Sequence, residues 1–123
     1  LTNAFMDAYE IRDFIVSMNL NMCFDTSHSK LYCNWVHADF HEQVQVLLPY
    51  IRHLHLSDGA GLDGEGLKIG EGTIDWVHFF RIIGEYHGTM IPEIWRGHQR
   101  QGEGFLIAIQ RLSDAYFKAH NQR

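Results

Sequence analysis

Residues 51–58 read Ile51-Arg52-His53-Leu54-His55-Leu56-Ser57-Asp58. Side chains of an extended chain point alternately to opposite faces. Leu54 and Leu56 therefore share one face of a strand over Ile51–Leu56, and His53 and His55 share the other. The glycine-rich stretch that follows, Ser57 to Gly72, has no helical period and reads as a loop. A loop this long inside a compact domain is usually a functional one. Upstream, Val36, Phe40, Val44, Leu47 and Leu48 recur at four- and three-residue steps, which predicts a helix over Trp35–Leu48 stopped by Pro49.

The same unit repeats on both sides. Towards the N-terminus, Asn19–Phe24 reads as a strand ending at Asp25. Before it Phe5, Ala8, Ile11, Ile15 and Met18 form one stripe of a helix over Leu1–Met18. Towards the C-terminus, Thr73 or Asp75 caps a helix whose buried stripe is Trp76, Val77, Phe80 and Ile83. Thr89–Trp95 is a third strand, with Pro92 suited to its end rather than its centre. A polar loop, Arg96–Glu103, leads to a last helix with Phe105, Ile109, Leu112 and Tyr116 in register. The expected fold class is α/β: a helix, then three parallel (β/α) units joined by crossovers. A (β/α)8 barrel takes about 250 residues. With 123 residues and three units, this chain amounts to about half of one.

Composition narrows the functional classes. The 10 Lys and Arg stand against 15 Asp and Glu, a net charge of −5. That leaves no basic face for a nucleic-acid backbone. No apolar run approaches the roughly 20 residues of a membrane span. Two cysteines, Cys23 and Cys33, are too few for a disulfide framework and read as reduced thiols of a cytoplasmic protein. The chain starts without Met, which is expected of a processed chain or a piece of a longer one. Nine histidines are an unusual share, and some of them are candidates for binding.

Each strand ends in chemistry. The first ends Asp25-Thr26-Ser27-His28, the second His53-Leu54-His55-Leu56-Ser57-Asp58, the third Pro92-Glu93-Ile94-Trp95. In parallel α/β architecture these ends lie on one face, where such proteins keep their sites. Asp25, His55 and Glu93 then converge, with His28 near them. This oxygen and nitrogen set suits Mn²⁺, Mg²⁺, Co²⁺ or Zn²⁺. Blander readings stand beside it: Asp-Thr-Ser as a helix-capping turn, one histidine as a packed side chain, Glu93 as a surface charge. In the loop after the third strand, Arg96, His98 and the N–H groups at a helix start suit a substrate phosphate or carboxylate. A simple solvated loop fits the same residues.

Taken in order, four motifs resemble the xylose isomerase-like barrel superfamily, which includes sugar phosphate isomerases and epimerases, ketose 3-epimerases, inosose dehydratases and the AP endonuclease family 2 barrels. They are Asp25-Thr26-Ser27-His28, His53-Leu54-His55-Leu56-Ser57-Asp58, Gly70-Glu71-Gly72-Thr73-Ile74-Asp75-Trp76 and Glu93. The resemblance implies that residues 1–123 are the C-terminal half of such a barrel, with the upstream half absent. It implies metal ligation by Asp25, His55 and Glu93, joined by a Glu from an earlier strand. It also implies catalytic roles for Glu93 as proton carrier and His28, and substrate contacts from His28, Asp58, Arg96 and His98. Two departures matter. Gly59-Ala60-Gly61 stands where the epimerases tend to carry a sugar-holding Arg. Asp63-Gly64-Glu65-Gly66 lacks the His of the endonuclease branch, which argues against its three-zinc site.

The expected function is that of a metal-dependent sugar or sugar phosphate isomerase/epimerase in carbohydrate metabolism. The expected cofactor is a divalent metal, held weakly by the fragment alone. The expected partners are a small sugar and either a second copy of the chain or the missing barrel half; nucleic acid and membrane are excluded. One alternative is a non-catalytic scaffold or sugar-binding module of a larger enzyme. The loop at 96–104 resembles segments associated with acidic-sugar biosynthesis. Another alternative is a hydrolase or lyase using the same metal site.

Overall fold

A computed structural model describes residues 6–121. The expected helical contribution of Leu1–Phe5, with Phe5 in its stripe, lies outside the described residues. Helix α1 (Ala8–Met18) is capped by the Asp7 carboxylate, which accepts from the Tyr9 and Glu10 N–H groups, and it ends at a left-handed Asn19. Its buried stripe is Ala8, Ile11 and Ile15. Met18 is not part of it, being 58% exposed beside that left-handed turn.

Strand β1 (Met22–Asp25) runs directly into helix α2 (Thr26–Val36). The sequence reading missed α2 because its buried positions are Thr26, Ser27, Ser29, Leu31 and Cys33, too small and polar to show an apolar period. Trp35 and Val36 close α2, and His37, at φ 60°, ends the helix. The helix expected over Trp35–Leu48 is therefore α3 (Phe40–Leu47), opened by the Asp39 cap, with Pro49 in a 3₁₀ turn after it. Strand β2 spans Ile51–Leu56, as expected. The glycine-rich stretch is not simply a loop: β3 (Asp58–Ala60) and β4 (Gly64–Leu67) form an antiparallel hairpin. Helix α4 (Trp76–Ile83) is capped by Asp75, not Thr73. Strand β5 (Thr89–Pro92) stops at its proline. Helix α5 (Gln99–Asn121) is interrupted at Arg100–Gly102 by left-handed backbone, so its regular turns begin where the sequence places the last helix.

The main sheet is parallel, in the order β1-β2-β5. With helices between its strands it is the α/β architecture of part of a TIM barrel. Register sets Cys23 opposite His53, Phe24 opposite Leu54 and Asp25 opposite His55, then His53 opposite Thr89 and His55 opposite Ile91. Alternation sorts these pairs by face. Phe24, Leu54 and Leu56 are fully buried in one core with Ile11 and Ile15 of α1, Val44 and Leu47 of α3, and Phe79 and Phe80 of α4. The Phe40 ring lies 6.3 Å from those of Phe24 and Phe79, a spacing at which aromatic pairs attract. Cys23, Asp25, His53 and His55 occupy the other face.

Candidate metal centre

The site grows from the ends of the three parallel strands. Asp25 ends β1 and also serves as the N-cap of α2: its Oδ1 accepts the His28 backbone N–H at 3.0 Å. The capping reading and the ligand reading of Asp-Thr-Ser thus describe the same residue. Thr26 anchors this corner to β2, donating its hydroxyl to the Ser57 carbonyl at 2.7 Å and accepting the Ser57 N–H at 3.1 Å. Just past β5, the Glu93 N–H donates to the Leu56 carbonyl at 2.9 Å, which fixes the glutamate beside the end of β2.

The side chains meet as the sequence leads one to expect. His55 Nδ1 lies 2.7 Å from Glu93 Oε2 and 3.8 Å from Asp25 Oδ2. One donor atom from each of Asp25, His55 and Glu93 lies within 4.8 Å of the others. The three span the range from buried Asp25 to exposed Glu93, so the cluster has a dry floor and a wet rim. Two carboxylate oxygens and an imidazole nitrogen at this spacing fit a divalent cation with open positions for water or substrate.

A cavity of about 710 Å³ opens above them. Asp25, His28, Glu93, Arg96 and His98 line it, together with Glu65. His28 Nδ1 is 3.6 Å from Asp25 Oδ2, and its Nε2 is 3.0 Å from Glu65 Oε2. The sequence reading missed Glu65. Nothing in the glycine-rich run marks it, since only the β3–β4 hairpin brings it over the strand ends. That hairpin is pinned at both sides: the Gly66 N–H donates to Ser27 Oγ, and the Trp95 N–H to the Gly66 carbonyl, both at 2.9 Å. The Arg96 guanidinium lies 4.1 Å from the centre of the Trp95 ring, a cation–π contact.

Asp58 takes a different place from the substrate contact expected of it. It is fully buried and outside the cavity lining. Its Oδ1 accepts from the Gly59 and Ile74 N–H groups at 2.9 and 3.1 Å, and its Oδ2 from the Gly70 N–H and Trp76 Nε1 at 2.9 and 3.0 Å. The Gly-Glu-Gly motif serves this carboxylate. Gly70 holds φ +93°, and a Cβ on Gly72 would collide with Asp58 Oδ1. Two of the four motifs are thus one hydrogen-bonded corner that holds the hairpin to the start of α4.

A parallel α/β sheet whose strand ends gather acidic and imidazole side chains beneath an open cavity defines the class, a barrel-type protein with a site at the C-terminal face of its strands. More particularly, the chain belongs to the xylose isomerase-like TIM barrel family, which matches residues 1–114. It is 38% identical over 86 residues to Uncharacterized protein MJ1311 of Methanocaldococcus jannaschii, an alignment covering 68% of this chain and 29% of that protein. The chain therefore spans less than a third of the length of this curated relative. Among the described residues no helix is long and apolar enough to cross a membrane.

Proposed function

We propose that this chain is the C-terminal half of a xylose isomerase-like barrel and that the complete protein is a metal-dependent sugar or sugar phosphate isomerase/epimerase. The observation that supports this reading most is the convergence of Asp25, His55 and Glu93 within 4.8 Å at the strand ends. In this reading the three residues hold a divalent cation, Mn²⁺, Mg²⁺, Co²⁺ or Zn²⁺, with a fourth ligand from the upstream half. When bound, the cation polarises a substrate carbonyl and its neighbouring hydroxyl, and so acidifies the C–H between them. Glu93, exposed at the rim, exchanges that proton on one face, and a Glu from the upstream half works on the opposite face. His28 holds substrate oxygens, braced by Glu65 on Nε2. Arg96 and His98, across the cavity, meet a phosphate or carboxylate on the sugar. Two free cysteines and a net charge of −5 fit a cytoplasmic enzyme of carbohydrate metabolism with no nucleic-acid partner.

The test is hydrogen exchange on the full-length protein in deuterated water, with a panel of ketoses and acylamino sugars followed by NMR. Deuterium entering a substrate C–H supports proton transfer. Glu93→Gln keeps an oxygen ligand but removes the base, and should slow exchange by about 10²- to 10⁴-fold. His28→Asn should mainly raise KM, since the proton carrier remains. Turnover without deuterium entry would replace this reading with a hydrolase or lyase on the same site. Neither turnover nor exchange with any sugar would leave a binding or scaffold module.

A further inference from the structure

Beneath the strand-end site, on the same sheet face, lies a second cluster, of which the proposed reaction uses only His55. Register sets Cys23 on β1 directly opposite His53 on β2, and His55 follows two residues on. The three side chains share a face and are each half-buried. One donor atom from each, the Cys23 sulfur and a ring nitrogen of either histidine, lies within 4.8 Å of the others. The two imidazole rings meet edge to face with centroids 5.0 Å apart.

The Nδ1 atoms of both rings are already engaged. His53 Nδ1 lies 2.7 Å from the Thr89 hydroxyl oxygen, and His55 Nδ1 lies 2.7 Å from the Glu93 carboxylate. A hydrogen bond at one ring nitrogen fixes the tautomer and presents the other nitrogen as a ligand, the usual support of a metal-bound histidine. The Glu93 carboxylate, which can only accept, prepares Nε2 of His55, and the Thr89 hydroxyl does the same for His53 when it accepts from Nδ1. A thiolate and two imidazoles form a softer set than the two carboxylates and one imidazole above them, one that selects Zn²⁺ over Mg²⁺ or Mn²⁺.

We propose that Cys23, His53 and His55 form a second metal site, selective for zinc-like ions, which shares His55 with the carboxylate site. The two sites use opposite nitrogens of that ring: Nδ1 with Asp25 and Glu93, Nε2 with Cys23 and His53. A soft ion in the lower site turns the His55–Glu93 contact into a support for itself and so competes with a hard ion above. The lower cluster stands on its own geometry; only the competition rests on the strand-end reading.

Cobalt titration of the purified chain tests this. A thiolate ligand gives Co²⁺ an intense near-ultraviolet charge-transfer band, which carboxylate and imidazole ligands do not. The band should appear with the parent chain and disappear in Cys23→Ser. It should weaken in His53→Gln, and Thr89→Val should lower cobalt affinity by about 10- to 100-fold. Cys33, on the buried side of α2 with its thiol pushed up to about 11 by burial, is the control: Cys33→Ser should keep the band. Asp25→Asn should keep it too, while abolishing Mn²⁺ binding measured by electron paramagnetic resonance. Absence of Mn²⁺ binding by the parent chain, or Mn²⁺ binding that survives Asp25→Asn, would sink the strand-end reading, not this one. Circular dichroism confirms that each variant is folded. No bound cobalt, cobalt bound without the band, or a band that survives Cys23→Ser in a folded chain would overturn the proposal.

Discussion

Asp58 shows how one carboxylate acquires a structural role by burial. With four donors on its two oxygens it stands in for water to three backbone N–H groups and the Trp76 indole. A buried donor left without a partner costs about 1–3 kcal/mol. Asp58→Ala leaves four, so the variant should lose more than about 3 kcal/mol, or fail to fold, in a urea titration. A fully stable Asp58→Ala with only a raised KM would restore the substrate contact expected from the sequence. His41 gives a pH-dependent counterpart. Burial first, and then the neighbouring His78 ring 4.0 Å away, holds its pKa below the ordinary 6.5. The unfolded chain therefore binds that proton more readily. The stability from neutral His41 is present above about pH 6.5 and is lost as pH falls through the depressed folded value. The urea midpoint should drop between pH 7.5 and pH 5, and by less in His41→Gln. Equal drops in both would assign the effect to other groups.

At the scale of elements, helix α4 carries the strongest expectation. Its Asp75 side chain accepts the His78 N–H at 2.9 Å, and Asp75→Ala should cost about 0.5–2 kcal/mol. Phe79, fully buried between Phe40 and Trp76, should cost about 3–5 kcal/mol when cut to Ala. Denaturant midpoints check both; a Phe79→Ala change as mild as the cap would mean the core collapses around the gap. Elements built on large apolar periods were legible in the sequence: β2, α4, the stripe of α1 at Ile11 and Ile15, and the convergence of Asp25, His55 and Glu93. What stayed hidden has physical reasons. Helix α2 packs against its neighbours through Ser27, Ser29 and Cys33, side chains without a readable period. The β3–β4 hairpin is held by Ser27 and the backbone of Trp95, partners remote in sequence, so Glu65 was invisible as a neighbour of His28. His53 could be read as facing the same way as His55, but not as facing Cys23, because that depends on the register between β1 and β2.

As a whole molecule, the described residues present apolar surface that no described element covers. Met90, Ile91, Ile109 and Phe117 are exposed, and a groove of about 420 Å³ runs between β5 and α5 past Leu56, Pro92 and Tyr116. Leu20 is exposed as well. Within the described sheet, β1 and β5 each have a parallel partner on one side only. Unpaired edges beside apolar surface favour association. The isolated chain should therefore self-associate, most simply as a two-fold dimer. Light scattering reads this directly, and Phe117→Asp should shift the mass towards the monomer. A well-behaved monomer of the parent chain at high micromolar concentration would contradict the expectation.

In the function proposed above, Asp25 joins folding to chemistry within one side chain. One oxygen closes the first turn of α2, while the other faces His28 and His55. A descendant that abandoned the reaction would still need the cap, so selection for a folded chain would preserve this aspartate long after the activity had gone. The Glu93 side chain has no comparable part in folding: it is exposed, and among the described residues it caps no helix. In a lineage drifting towards a silent barrel, the glutamate would be the first of the two to decay. Its retention, rather than that of Asp25, is the better sign of a working enzyme.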